Sequence, residues 1–234
     1  MKQLIKIISV FLVSALTMTT TAFAWTVEKQ DLSEIEITFD ESINPGEQIN
    51  ISVPSDWAID EVKQARKYGI IPAFSDNPSY TDSINREQFA ELVIRVVAVL
   101  TNTYPEITNT ITFVDCDNIN VLEAASIGII YGVGENKFEP KIITNREQIA
   151  TMITRTVDYL ENTMNIDLML NDCDITAFID KNEVSDWALD SVGILAANGI
   201  MLGTSDNELS PKLPCTVEQS IVLMKRVYEL ISIK

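Results

Sequence analysis

The sequence predicts a mainly α protein made of three helix–loop–helix repeats, and three observations carry that expectation. Three stretches, Trp57 to Arg95, Cys116 to Arg155 and Trp187 to Arg226, share landmarks at matching spacing. Apolar residues within them recur at the helical period. Each second half opens on residues that cap helices. The landmarks centre on a Gly-Ile step, at Gly69-Ile70, Gly128-Ile129 and Gly199-Ile200. A valine stands seven residues before each glycine (Val62, Val121 and Val192), and Trp57, Cys116 and Trp187 stand twelve before it. Glu87-Gln88, Glu147-Gln148 and Glu218-Gln219 follow it.

In chain order, residues 1–24 read as a secretory signal. Lys2 and Lys6 precede the apolar stretch Ile7 to Leu16, which is too short to span a bilayer comfortably. Ala22-Phe23-Ala24 then supplies a small-x-small cleavage site, so the exported chain is expected to start at Trp25 with no membrane attachment. Residues 25–52 change period. Ile35, Ile37 and Phe39, and then Ile49, Ile51 and Val53, alternate with polar residues around Asn44-Pro45-Gly46. That pattern predicts a short extended, β-hairpin-like segment, too small for a domain.

The repeats are placed at 53–100, 113–160 and 178–232, with long polar linkers at Thr101 to Thr112 and Asn162 to Ala177. In the third copy, Trp187, Val192, Leu195 and Ala196 define the first helix, and Asn198-Gly199 ends it through a left-handed cap. Gly203 to Asn207 form a turn-rich loop, and Pro211 and Pro214 keep the chain extended before the second helix. Ile221, Met224, Val227, Tyr228 and Ile231 then line one stripe. The second helices start with Asn85-Arg86-Glu87-Gln88, Asn145-Arg146-Glu147-Gln148 and Thr216-Val217-Glu218-Gln219, each a capping box. The box explains Asn or Thr and Gln but not the arginine. A cation in the first turn opposes the helix dipole by up to ~1 kcal/mol. An anion held jointly by Arg86 or Arg146 and the free backbone N–H groups would offset that.

Composition removes several function classes. The formal charge of −17 becomes −19 once Lys2 and Lys6 leave, which opposes nucleic acid and anionic lipid. There is no histidine, so His-dependent nucleophile arrangements and His-ligated zinc are excluded. Three cysteines, Cys116, Cys173 and Cys215, are too few and odd in number for a disulfide scaffold; three buried free thiols are expected, with one bridge and one free thiol as the alternative. Asp115, Asp117 and Asn118 lack EF-hand spacing, so no metal or other cofactor is expected. Paired-carboxylate catalysis is open to any chain with 34 acids, but no motif supports it, and no catalytic residue is assigned.

These motifs resemble the S-layer homology family. The third copy carries Phe178-Ile179-Asp180, Trp187-Ala188, Gly199-Ile200, Gly203, Ser210-Pro211 and Glu218-Gln219. The second carries Phe113-Val114-Asp115, Gly128-Ile129, Phe138-Glu139-Pro140 and Asn145 to Gln148. The first carries Asp56-Trp57-Ala58, Gly69-Ile70 and Asn85 to Gln88. The resemblance implies a pseudo-threefold, three-pronged helical bundle. Its inter-prong grooves would bind secondary cell-wall polysaccharide, commonly one bearing pyruvylated N-acetylmannosamine. It also implies that Arg86 and Arg146 hold the pyruvyl carboxylate, and that Trp57, Trp187, Gly69, Gly128 and Gly199 shape the grooves.

Three positions depart from the family pattern. Val217 replaces the arginine, Cys116 replaces a tryptophan, and Ile71-Pro72-Ala73 replaces a glycine-rich loop. At most two competent grooves are therefore expected. The sequence points to an exported wall or S-layer protein that anchors without covalent attachment and is not an enzyme. The alternative is a helical-repeat adaptor for a protein partner at the cell surface. The sequence does not set the oligomeric state.

Overall fold

The computed structural model describes residues 52–107, 112–168, 170, 172–205 and 207–233; the signal segment and nearly all of the hairpin-like segment lie outside them. The described chain is mainly helical. Six α-helices form, at Ile59–Tyr68 (α1), Arg86–Thr101 (α2), Ile119–Ser126 (α3), Arg146–Met164 (α4), Leu189–Ala197 (α5) and Val217–Ser232 (α6). None is long and apolar enough to cross a membrane. Trp57 and Trp187 do not open these helices. They sit in single 3-10 turns, Asp56–Ala58 and Asp186–Ala188, just ahead of α1 and α5.

The capping boxes form as expected. Asn85, Asn145 and Thr216 accept from the backbone N–H of Gln88, Gln148 and Gln219, whose side chains return the bond. Each short helix ends near a glycine with positive φ: 73° at Gly69, 77° at Gly128 and 71° at Gly199.

Packing is cyclic. α2 packs on α3, α4 on α5 and α6 on α1, and the three long helices also touch one another. Each long helix therefore meets the short helix of the next unit, and the last unit closes on the first. A ring of three backbone bonds lies at the centre. The N–H of Ile84 donates to Cys215 O (2.8 Å), Cys215 to Thr144 O (3.1 Å) and Thr144 to Ile84 O (3.0 Å). All three residues are fully buried, and each stands just before a cap of α2, α6 or α4. Around the ring, Phe89, Leu92, Ile149, Ile153, Ile221 and Met224 fill the core with no exposed surface.

The ring extends into the helix termini. Arg86 N–H donates to Ile142 O, Arg146 N–H to Leu213 O and Val217 N–H to Asp82 O. Glu87, Glu147 and Glu218 N–H donate to Pro140, Pro211 and Tyr80 O. With the capping boxes, these bonds use the first-turn donors that a helix ordinarily leaves open. The free backbone N–H groups expected to share an anion are thus already occupied, because the neighbouring unit's extended segment lies across each terminus.

The loops are held by Asp115 and Asp180. The two oxygens of Asp115 accept from Phe138 and Glu139 N–H (2.8 and 2.9 Å), and those of Asp180 from Leu209 and Ser210 N–H (2.9 and 2.7 Å). Asp115 therefore serves as a loop clamp. Gly203 sits within the second of these loops at φ +90°, where an added Cβ would lie 2.6 Å from Glu208 O and 3.1 Å from the Phe178 ring. Gly199 has a similar dihedral but open space around it. Gly199→Ala is expected to cost about 1 kcal/mol from the left-handed backbone alone. Gly203→Ala should cost clearly more, about 2–4 kcal/mol, since backbone must also move. Denaturant midpoints of the two variants check the order.

The cysteines depart in part from expectation. Cys116 and Cys215 are buried free thiols, but Cys173 is exposed. The linker crosses α5 here, and Cys173 occupies the space that a side chain at Gly193 would need. Leu168 and Ile175 of the same linker are buried.

Candidate functional site

Two equivalent grooves open between the helical units, and each takes residues from all three. The first, about 170 Å³, is lined by Arg86 from the start of α2, Tyr131 from the loop after α3, Gln148 and Arg155 on α4, and Trp187 ahead of α5. The second, about 270 Å³, is lined by Arg146 from the start of α4, Leu202 from the loop after α5, Gln219 and Arg226 on α6, and Trp57 ahead of α1. The correspondence is position by position, advanced one unit around the ring. Both volumes fall below the usual 300–1,000 Å³ of a drug-sized pocket. They suit a small group, or one unit of a longer chain with the remainder outside.

The structure thus pairs Arg86 with Trp187 and Arg146 with Trp57. Gly69, Gly128 and Gly199 do not line either groove. Their steps act through the backbone: Gly69 O accepts from Arg95, Ile129 O from Arg155 and Ile200 O from Arg226. The tryptophans are too exposed to be core aromatics, at 54% for Trp57 and 59% for Trp187. A half-exposed indole offers a flat apolar face with a polar edge.

The cap arginines reach across to the next unit. Arg86 Nε donates to Phe138 O (2.9 Å) and Nη2 to Tyr131 O (2.8 Å), with the guanidinium 4.5 Å over the Phe138 ring. Arg146 is 4% exposed, and its Nε donates to Leu209 O (2.8 Å). Burial lowers the pKa of both, yet a guanidinium remains charged. Arg146 has five donors and, among the described residues, one oxygen acceptor, with the Cys215 sulfur as a weak second. Arg146 is therefore a buried cation with donor capacity left over, at the wall of a groove.

Arg155 and Arg226 are groove residues that sequence reasoning passed over. Arg155 lies 4.5 Å over the Tyr131 ring and makes only a long 3.4 Å contact to Ile129 O. A signal was present. An arginine follows the cap glutamine by seven residues in every copy (Arg95, Arg155 and Arg226), and two helical turns return a side chain to the same face. Four of the chain's six arginines line the two grooves, and among the described residues no acid does. In a chain of net charge −17 these are local cationic sites.

Loop integrity depends on the Asp115 clamp, because Phe138 O and Tyr131 O position Arg86. The backbone N–H of Phe138, followed by that of Glu139, holds the Asp115 carboxyl below its ordinary value. A depressed folded pKa contributes stability above the unfolded value of about 4 and loses it as pH falls through the folded pKa. Thermal melting of the wild type is therefore expected to decline on acidification below about pH 4. Asp115→Asn should show a flatter response over that interval.

The cyclic units and their cationic grooves describe a mainly α protein with two like grooves between its helical units. Residues 177–218 match the family model of the S-layer homology domain. Domains of this kind bind cell-wall polymers, which associates the protein with the cell surface or S-layer. The chain is 28% identical over 170 residues to an endoglucanase of Bacillus sp. (strain KSM-635), covering 70% of this chain and 17% of that one. It is 34% identical over 104 residues to the exoglucanase XynX of Acetivibrio thermocellus, covering 42% of this chain and 10% of that one. An amylopullulanase of Thermoanaerobacterium thermosulfurigenes is 33% identical over 104 residues, covering 42% and 6%. The chain spans less than a fifth of the length of each of these relatives.

Proposed function

We propose that this protein is a non-covalent cell-wall anchor without catalytic activity. Its three helical units act as S-layer homology repeats, and its two grooves take carboxylate-bearing units of a secondary cell-wall polysaccharide. Pyruvylated N-acetylmannosamine is the substituent that the family resemblance favours. One observation carries this reading: each groove joins two arginines and an exposed tryptophan, with no acid among the described lining residues, in a strongly acidic chain. A guanidinium pairs with a carboxylate through directional, charge-assisted bonds, and an indole stacks on a sugar face.

Retention of the exported protein on purified wall sacculi tests the proposal. Binding is expected on intact sacculi and loss on sacculi stripped of polysaccharide or of pyruvate. Equal retention after polysaccharide removal would sink the anchoring reading. Release of sugar from the same sacculi would contradict the absence of catalysis.

A further inference from the structure

The cyclic arrangement assigns a third groove to the pair α2 and α3, and the three sequence departures converge on it. Val217 stands where the other grooves have Arg86 and Arg146. Cys116 stands where they have Trp187 and Trp57, and Ile71-Pro72 stands where they have Ile130-Tyr131. These residues come from three different units, yet each groove draws on all three, so the changes are concentrated in one place. We propose that the chain itself closes this groove, with Glu91 as the residue that excludes a ligand, and that the protein is divalent. The inference rests on the anchoring reading.

Hydrogen bonds carry it. In the open grooves Gln148 is exposed and Gln219 half-buried. Their counterpart Gln88 is 4% exposed, and its Nε2 donates to Asp76 Oδ1 (2.8 Å). Thr151 and Val222 line the open grooves, while their counterpart is Glu91, at 3% exposure. The Glu91 carboxylate accepts from Asn118 Nδ2 (2.7 Å) on one oxygen and from Ser75 N–H (3.3 Å) on the other. Asn118 also donates to Glu87 (3.0 Å), tying the start of α3 to α2. The remaining cation, Arg95, donates to Gly69 O (2.6 Å) and to the Tyr104 hydroxyl (3.3 Å). A buried carboxylate at this position repels a second carboxylate, and each polar group that would meet a ligand already has an internal partner.

Calorimetric titration of the exported full-length chain with the soluble methyl glycoside of pyruvylated N-acetylmannosamine tests divalency. The wild type is expected to bind two glycosides, and Arg86→Ala one. Three bound to the wild type would overturn the inference and leave the anchoring reading intact. No binding would overturn both. Glu91→Thr combined with Val217→Arg is expected to raise the count to three, and a folded variant that still binds two would remove Glu91 from its assigned role. Val217 is 1% exposed, so if that variant does not fold the wild-type count decides.

Discussion

Arg86→Ala and Arg146→Ala together are expected to abolish retention on wall sacculi, while each alone weakens it. A hydrogen bond to a charged group contributes about 1.5–3 kcal/mol, so each groove should lose roughly 10- to 150-fold in affinity. The two substitutions should differ in their effect on the fold. Arg86 is half-buried and more open to water than Arg146, so the loss of its two hydrogen bonds and its contact with the Phe138 ring is expected to cost less, about 1 kcal/mol. Arg146 is almost fully buried, and truncation leaves Leu209 O unpaired and a cavity behind it. Arg146→Ala should therefore also cost about 1–3 kcal/mol of stability. At about 2–4 °C per kcal/mol for a chain of this size, melting should fall by roughly 2–12 °C. Circular dichroism beside the retention assay separates the two effects. Full retention by a folded double variant would show that the carboxylate assignment is wrong.

The second large effect is expected at Glu147. Its side chain is 3% exposed, and its oxygens accept from Ser185 N–H (2.9 Å), Ser185 Oγ (3.2 Å) and Lys212 Nζ (2.6 Å). It joins α4 to the entry of the third unit. Glu218 does the same for the first unit, accepting from Ser55 N–H (2.8 Å) and Ser55 Oγ (2.7 Å). Glu147→Ala removes a charged acceptor from Ser185 N–H and Oγ and leaves a buried gap, at a cost of about 3 kcal/mol. That corresponds to a melting decrease of roughly 6–12 °C. Lys212→Ala should cost under about 1 kcal/mol, since the ammonium is half-exposed and Ser185 still holds the carboxylate. Equal losses from the two would mean that the ion pair, not the Ser185 bonds, secures the junction.

Helix identity was legible in the sequence because the capping boxes and apolar stripes are local signals. The boxes at Asn85, Asn145 and Thr216 form where the residues indicated. What joins the units was not legible. Ile84, Thr144 and Cys215 share no side-chain chemistry, and the three bonds that close the ring are backbone bonds, to which Thr144 Oγ1 adds one more to Ile84 O. Any residue type supplies such a bond, so composition carries no mark of it. The neighbouring unit's extended segment, beside this ring, occupies the helix-terminal N–H groups that a single repeat leaves open. Groove membership was hidden for a related reason. Arg86 and Trp187 lie in different repeats, and cyclic packing alone brings them together. The motif glutamates read as part of a helix start, while their main contacts lie in the next unit.

The central claim is that two inter-unit grooves hold a carboxylate-bearing sugar. A crystal structure of the exported chain with the methyl glycoside of pyruvylated N-acetylmannosamine tests it most directly. The expected result is one ligand in each open groove, with its carboxylate within hydrogen-bonding distance of Arg86 or Arg146 and a sugar face against Trp187 or Trp57. A ligand bound away from both arginines, or seated between α2 and α3 instead, would contradict it.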